Sequence, residues 1–92
     1  MNCAVYLIRS IKNKQFYTGI STNPTRRLFE HNSGKSKITN KHKPWELVYV
    51  KVYSGYQDAR KHERWLKKKN VIYKNRLIGT AQLAPPVRGG VK

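Results

Sequence analysis

Residues 5–21, VYLIRSIKNKQFYTGIS, contain two runs of β-branched and aromatic residues on either side of the polar segment SIKNKQ. This pattern predicts a β-hairpin with strands over Val5–Ile8 and Phe16–Ile20. Because side chains alternate between the two faces of a strand, Tyr6 and Tyr17 share a face if the loop holds an even number of residues. The tyrosines are then either half-buried packing residues, the commoner outcome, or two phenols directed at one site.

The sequence that follows the hairpin predicts a helix, a loop and a third strand. STNPTRRLFEHNSG, residues 21–34, is typical of a helix capped by Thr22 or Asn23 and ended by Gly34. KSKITNKHKP, residues 35–44, has no apolar period and predicts a mobile loop. WELVYVKVY, residues 45–53, is apolar at nearly every position, which favours a strand at the centre of the sheet.

A second helix is predicted over residues 57–69, QDARKHERWLKKK. Its apolar stripe falls at Ala59, Glu63 and Leu66, so a glutamate occupies a position that faces the core. Glu63 is then either paired with a neighbouring basic residue or directed at a metal ion. We expect residues 1–79 to form one domain and residues 80–92, TAQLAPPVRGGVK, to form a flexible tail.

The charge of the chain indicates its class of partner. Its 92 residues include 20 Lys and Arg against 4 Asp and Glu, a formal net charge of +16, which favours nucleic acid as the partner. With so few carboxylates, a two-metal nuclease site with its own acidic cluster is hard to build. Cys3 is the only cysteine, which excludes a disulfide framework and a cysteine-rich zinc site.

Two residues of the first helix suit a phosphate group. Arg27 and His31 lie four residues apart and therefore project from the same face of the helix. The alternative, commoner for such residues, is an exposed surface position.

Several short motifs, in this order and spacing, resemble the GIY-YIG nuclease superfamily. AVY at residues 4–6 and YTG at residues 17–19 resemble its two name-giving motifs, with Ala4 in place of the first glycine and Thr18 in place of the middle isoleucine. RRLFEHNSGK, ELVYVKVY and E-x-x-L-K are similar to segments of its small stand-alone members. The resemblance covers about residues 4–77.

The resemblance implies an α+β fold with a small, three-stranded, mainly antiparallel sheet flanked by helices. It also implies a phosphodiesterase that acts on DNA with one divalent cation, Mg²⁺ or Mn²⁺. By this resemblance Glu63 holds the metal, and Tyr6 helps to deprotonate the attacking water with Tyr17 in support. Arg27 stabilises charge on the phosphate, and His31 assists proton transfer or phosphate positioning.

Contacts with nucleic acid are expected from basic residues of the predicted loop and second helix. The candidates are Lys35, Lys37, Lys41 and Lys67, together with Asn75, which stands where some family members have a functional asparagine. We expect DNA as the partner, with branched or nicked DNA as one candidate form, and RNA stays open as a partner.

We therefore expect a metal-dependent endonuclease with weak sequence preference, structure-directed and connected with DNA repair. The alternative is a binding module that keeps the same fold and does not cut, and a third hypothesis, a ribosome-associated structural protein, rests on charge alone. No apolar run is long enough to span a membrane, so we expect a cytoplasmic protein without membrane contact, and a monomer.

Overall fold

A computed structural model describes residues 2–83, with the side chains of residues 2–79. The fold is α+β, as predicted, with one three-stranded antiparallel sheet and helices on both of its faces. In chain order the elements are β1 Cys3–Ser10, β2 Phe16–Ser21, α1 Pro24–Asn32, α2 Lys37–Asn40, β3 Trp45–Tyr53, α3 Tyr56–Lys67 and α4 Val71–Leu83.

The predicted hairpin is formed by β1 and β2, and its register places both tyrosines on one face. Tyr6 lies opposite Gly19, and Ile8 lies opposite Tyr17. Directly opposed residues of an antiparallel pair point to the same side of a sheet. Ser10 stabilises the turn, because its hydroxyl accepts hydrogen bonds from the backbone N–H groups of Lys12 and Asn13, both at 3.1 Å.

The prediction that residues 45–53 form the central strand is wrong. The strand order is β2-β1-β3, so β1 is central and β3 lies at an edge. All but one of the β1 side chains are buried, whereas Val50 and Val52 of β3 are 42% and 58% exposed. An apolar run signals a central strand only when both of its faces are covered, and these two valines remain open to solvent.

Helix α1 begins as the sequence predicted. Asn23 is its N-cap, and the side-chain oxygen of Asn23 accepts a hydrogen bond from the backbone N–H of Arg26 at 3.1 Å. Gly34 follows the helix with a φ of 85°, a conformation that glycine adopts without steric cost.

The predicted loop over residues 35–44 contains a one-turn helix, α2, at Lys37–Asn40. Thr39 of α2 is buried, and its carbonyl oxygen accepts a hydrogen bond from the indole Nε1–H of Trp45 at 2.9 Å. The segment is therefore attached to the core, which a sequence without an apolar period did not indicate.

Helix α3 buries the predicted stripe Ala59, Glu63 and Leu66. Helix α4 continues through Leu83, beyond the expected domain boundary at residue 79, and the rest of the expected tail, residues 84–92, lies outside the described residues. Within the part of the chain that the structure describes, no helix has the length and apolar character needed to cross a membrane.

The central strand separates two hydrophobic clusters. Val5 and Leu7 point towards α3 and α4, where they pack with Ala59, Leu66 and Ile78. On the other face, the α1 side of the sheet, Tyr6 and Ile8 form a cluster with other side chains, namely Trp45, Tyr17, Leu28 and Leu47. Helices α1 and α3 therefore lie on opposite faces of the sheet.

Candidate active site

Tyr6 occupies the middle of the α1 face, with its ring over Gly19. A Cβ at Gly19 would lie 2.8 Å from Cε2 of Tyr6 and closer still to the Cζ and the hydroxyl, far inside van der Waals contact. Glycine is therefore needed here for space, because any side chain would displace the ring. Tyr6 is 1% exposed, so its phenol is almost fully enclosed.

A chain of hydrogen bonds leads from Tyr6 into α1 and α2. The Tyr6 hydroxyl lies 2.9 Å from Nε2 of His31, and Nδ1 of the same imidazole lies 2.8 Å from the hydroxyl of Thr39. His31 and Thr39 are both buried. Buried polar groups that are satisfied in this way hold one defined geometry.

Arg27 and Tyr17 form the more accessible side of the same cluster. The Arg27 guanidinium lies beside the Tyr6 hydroxyl and donates to the carboxylate of Glu30 at 2.5 Å. The ring centroid of Tyr17 lies 6.5 Å from that of Tyr6 and 4.9 Å from that of His31. Both side chains are part-exposed, so they are the members of the cluster that meet an approaching ligand first.

The environment favours the neutral forms of Tyr6 and His31. Burial raises the pKa of the Tyr6 phenol above its ordinary value, and the adjacent Arg27 guanidinium opposes part of that rise. Burial also lowers the pKa of His31, and the charge of Arg27 lowers it further. At neutral pH the pair is therefore a phenol next to an uncharged imidazole.

His31 can relay a proton between two hydroxyl groups. The Tyr6 hydroxyl has His31 and Arg27 as its polar neighbours, and a guanidinium has no acceptor. The tautomer in which Nδ1–H donates to Thr39 and Nε2 accepts from the phenol therefore satisfies the Tyr6 proton. In this tautomer His31 is a proton acceptor towards Tyr6.

Glu63 lies apart from this cluster. It belongs to α3, on the other side of the sheet, and is 2% exposed. Its two carboxylate oxygens bind Arg60 at 2.6 Å and Lys67 at 2.7 Å. Among the described residues, no hydrogen bond or ring contact joins Glu63 to the tyrosines, Arg27 or His31.

Glu63 nevertheless has donor chemistry that suits one hard cation. Arg60 and Lys67 are about half exposed, so rotation of their side chains into solvent would free both oxygens of the buried carboxylate. Residues 2–83 contain no cluster of three His, Cys, Asp or Glu side chains that could hold a metal. Glu63 would therefore be the single protein carboxylate, with water and substrate phosphate completing the coordination, an arrangement that Mg²⁺ accepts.

The predicted nucleic-acid contacts fall into two groups. Lys35, Lys37 and Lys41 are exposed on and around α2, the helix that supplies Thr39 to the cluster, so they flank the candidate active site. Lys67 and Asn75 lie on α3 and α4, and Lys67 is bonded to Glu63.

Sequence reasoning missed Thr39 because a threonine inside a basic segment without apolar period carries no signal of burial. It also gave no role to Glu30, which binds Arg27 and, at 3.3 Å, Arg26. The spacing of Arg27 and Glu30, three residues apart on a helix, is the signal that could have revealed this pair.

Comparison of the sequence with known proteins identifies its relatives. Residues 2–74 match the model of the GIY-YIG catalytic domain. A UPF0213 protein of Aeromonas salmonicida is 37% identical over 76 residues, which cover 82% of this chain and 55% of that protein, so this chain spans about half of that relative. Structure-specific endonuclease subunit slx1 of Aspergillus terreus is 45% identical over 51 residues, 49% of this chain and 13% of that protein.

The fold has a counterpart among solved structures. The solution NMR structure of a UPF0213 protein from Bacillus halodurans matches with a TM-score of 0.55 and 31% sequence identity, and the match covers 87% of this chain and 85% of that one.

Proposed function

Because this chain belongs to the GIY-YIG catalytic domain family, a nuclease superfamily, we propose that it is an endonuclease that hydrolyses DNA phosphodiester bonds with a divalent cation and with weak sequence preference. The observation that carries the proposal is the cluster of Tyr6, His31, Arg27 and Tyr17 on one face of the sheet. A phosphodiester needs an activated water and a cation at the phosphate, and this cluster offers a proton acceptor beside a guanidinium.

Arg27 binds the phosphate in this proposal. Its guanidinium is part-exposed and already pairs with an anion, the carboxylate of Glu30. Exchange of that carboxylate for a phosphate oxygen brings the substrate next to the Tyr6 hydroxyl. The guanidinium of Arg27 then stabilises the negative charge that develops on the phosphate.

Tyr6 acts as a proton relay. Since burial raises the pKa of Tyr6, the phenol is not ionised in advance. Instead, its oxygen accepts a proton from the attacking water while its own proton passes to Nε2 of His31, to which it is already hydrogen-bonded. The new P–O bond forms as the bond to the leaving oxygen breaks, and the leaving oxygen takes a proton from solvent.

The remaining parts have supporting roles. Tyr17 packs against His31 and Tyr6 and would support the position of the relay. Glu63 would hold Mg²⁺ or Mn²⁺, a Lewis acid that neutralises phosphate charge. Because Glu63 belongs to α3 and does not contact Arg27, the cation would act on the DNA from the α3 side. Lys35, Lys37 and Lys41 would contact the DNA backbone without reading sequence, which accounts for the weak preference.

The relatives indicate a substrate class to test first. One of them is named a structure-specific endonuclease subunit, so branched and nicked DNA come before linear duplex, and a role in DNA repair follows if these are preferred. A monomer in the cytoplasm is part of the same proposal.

The proposal is tested by incubating the protein with single-stranded, nicked, flapped, branched and linear DNA in Mg²⁺, Mn²⁺ or chelator. Tyr6→Phe is expected to lower the cleavage rate by about 100- to 10,000-fold, the usual contribution of a positioned proton acceptor. Tyr53→Phe is the matched control, because the Tyr53 hydroxyl also bonds a histidine, Nδ1 of His62 at 2.7 Å, on the other face. Equal cleavage by wild type and Tyr6→Phe, or binding without cleavage in every condition, favours the non-catalytic binding module.

A further inference from the structure

The outer face of α3 carries an exposed tryptophan surrounded by basic side chains. Trp65 is 46% exposed, and with Lys61, Arg64 and Lys68 it lines a shallow depression of about 250 Å³. The inward stripe of the same helix packs on the core, so this depression faces away from the sheet. Tryptophan is enriched among the residues that dominate binding interfaces, so an exposed indole ringed by cations is a candidate for a ligand contact.

Trp65 is held in a fixed position by its neighbours. Its ring centroid lies 5.8 Å from that of His62 and 5.5 Å from that of Tyr73, which meets it edge-on at 89°. The ammonium group of Lys69 lies 4.6 Å from the centroid of the indole. A ring that is already ordered loses little conformational entropy when a ligand stacks on it.

The charges around Trp65 are not neutralised by the protein. Glu63, the buried carboxylate of the same helix, pairs with Arg60 and Lys67. Within the described residues, Lys61, Arg64 and Lys68 take part in no salt bridge. Three free cations around a flat aromatic surface match a ligand that has both phosphates and bases.

We propose that this face of α3 is a second nucleic-acid-binding site, which stacks an unpaired base on Trp65 and holds the flanking phosphates with Lys61, Arg64 and Lys68. The site is distinct from the Tyr6 cluster, because α1 and α3 lie on opposite faces of the sheet, and from Glu63, because Glu63 belongs to the buried inward stripe of α3. It rests on nucleic acid as the partner and is independent of cleavage. Its ligand is a single strand, since paired bases do not offer a free face to an aromatic ring.

Fluorescence titration in chelator tests this site without any reaction. The probes are a 12-nucleotide oligo(dT) and an abasic oligomer of the same length and charge. Trp45 is buried, so quenching by a stacked base reports on Trp65. We expect oligo(dT) to quench the emission and to bind at least about fivefold more tightly than the abasic oligomer, the lower limit for one base–aromatic stack. Equal affinities without quenching overturn the proposal.

Substitutions then assign the effect to one ring. Trp65→Phe retains a stacking surface and is expected to keep most of the affinity for oligo(dT) while losing the quenching. Trp65→Leu is expected to weaken binding at least about fivefold. Phe29→Leu, which removes an aromatic ring that is 70% exposed on α1, is the matched control and should leave the affinity unchanged.

Further outcomes decide whether Trp65 binds a single strand or a membrane surface. If Trp65→Leu is folded by circular dichroism and still binds oligo(dT) with unchanged affinity, the proposal is overturned. The proposal is also overturned if vesicles of anionic lipid shift the emission to the blue while oligo(dT) gives no quenching, because Trp65 then enters a membrane surface. If oligo(dT) quenches Trp65 while no DNA is ever cut, the nuclease proposal fails and this one stands.

Discussion

Each face of the sheet carries a tyrosine–histidine pair, but the two pairs have different surroundings. Tyr6 and His31 are both buried, the far nitrogen of the imidazole is bound by Thr39, and Arg27 lies next to the phenol. Tyr53 and His62 are only part-buried, and His62 stands beside the exposed ring of Trp65. The hydrogen bond itself is therefore common to both faces. The burial of both partners, the second hydrogen bond from His31 to Thr39 and the adjacent Arg27 cation are what make the α1 side a candidate for catalysis.

The α3 side of the sheet has its own buried polar group, the carboxylate of Glu63. Replacement of Glu63 is expected to have the largest effect on cleavage. Glu63→Gln removes the charge that would hold the metal, so metal-dependent cleavage should be abolished while DNA binding stays intact or becomes slightly tighter. The variant should also lose about 1–3 kcal/mol of unfolding free energy, because the ion pairs with Arg60 and Lys67 are lost. Calorimetry without Mn²⁺ measures the loss of stability, and calorimetry with Mn²⁺ tests metal binding, since the cation should raise the Tm of the wild type and not that of Glu63→Gln.

Glu46→Gln is the control for that experiment. Glu46 pairs with Arg9 at 3.1 Å in a more exposed place, so its loss should cost less than about 1 kcal/mol and leave cleavage unchanged. If Glu63→Gln cleaves DNA at the wild-type rate, the carboxylate of Glu63 has a purely structural role.

The close contact between Gly19 and Tyr6 predicts the next effect. Gly19→Ala places a methyl group inside the space of the Tyr6 ring and hydroxyl, so the ring must move away from His31. We expect a loss of about 1–3 kcal/mol in stability and about 100-fold in cleavage, because the proton acceptor is displaced. Gly55→Ala is the matched control, since nothing lies within 4 Å of a Cβ there. Similar activity of the two variants would contradict the packed geometry of Tyr6.

Thr39 is expected to act by positioning His31. Thr39→Val keeps the shape of the side chain but leaves Nδ1–H of His31 without its partner, which should lower cleavage about 10- to 100-fold. Thr39→Ser restores the hydroxyl and should recover most of the activity. A merely structural role would be revealed if both variants had equal activity or if the pH profile of cleavage did not change in Thr39→Val.

The smallest effect concerns the pH dependence of stability. Burial lowers the pKa of both His31 and His62 below the value that the unfolded chain has, near 6.5. The unfolded state therefore binds more protons than the folded state. The contribution of the two neutral histidines to the free energy of unfolding is fully present above about pH 6.5, and it is lost as the pH falls towards their pKa values in the folded protein. His31→Gln and His62→Gln should each reduce the fall in Tm between about pH 7 and 5. An unchanged fall in both variants would contradict burial as the cause.

Much of the fold follows from local patterns. The alternation in residues 5–21 predicted the hairpin, and the stripe of α3 predicted the burial of Glu63. The shared face of Tyr6 and Tyr17 was predicted only for a loop with an even number of residues, and the register of the hairpin decided it. The strand order could not be predicted in this way. Residues 45–53 are apolar at nearly every position, yet β3 is at an edge because the position of a strand depends on long-range pairing.

The sequence by itself determined the secondary structure of the hairpin and of helices α1 and α3, the basic character, and the scarcity of carboxylates, because each depends on residues near in the chain or on composition alone. Only the tertiary structure decided that Tyr6 is enclosed and neutral, that Thr39 binds His31, that Glu63 lies across the sheet from the tyrosines, and that Trp65 stands exposed among free cations. The physical reason is that burial and pKa depend on which distant segments meet, and packing of both faces of β1 brings those segments together.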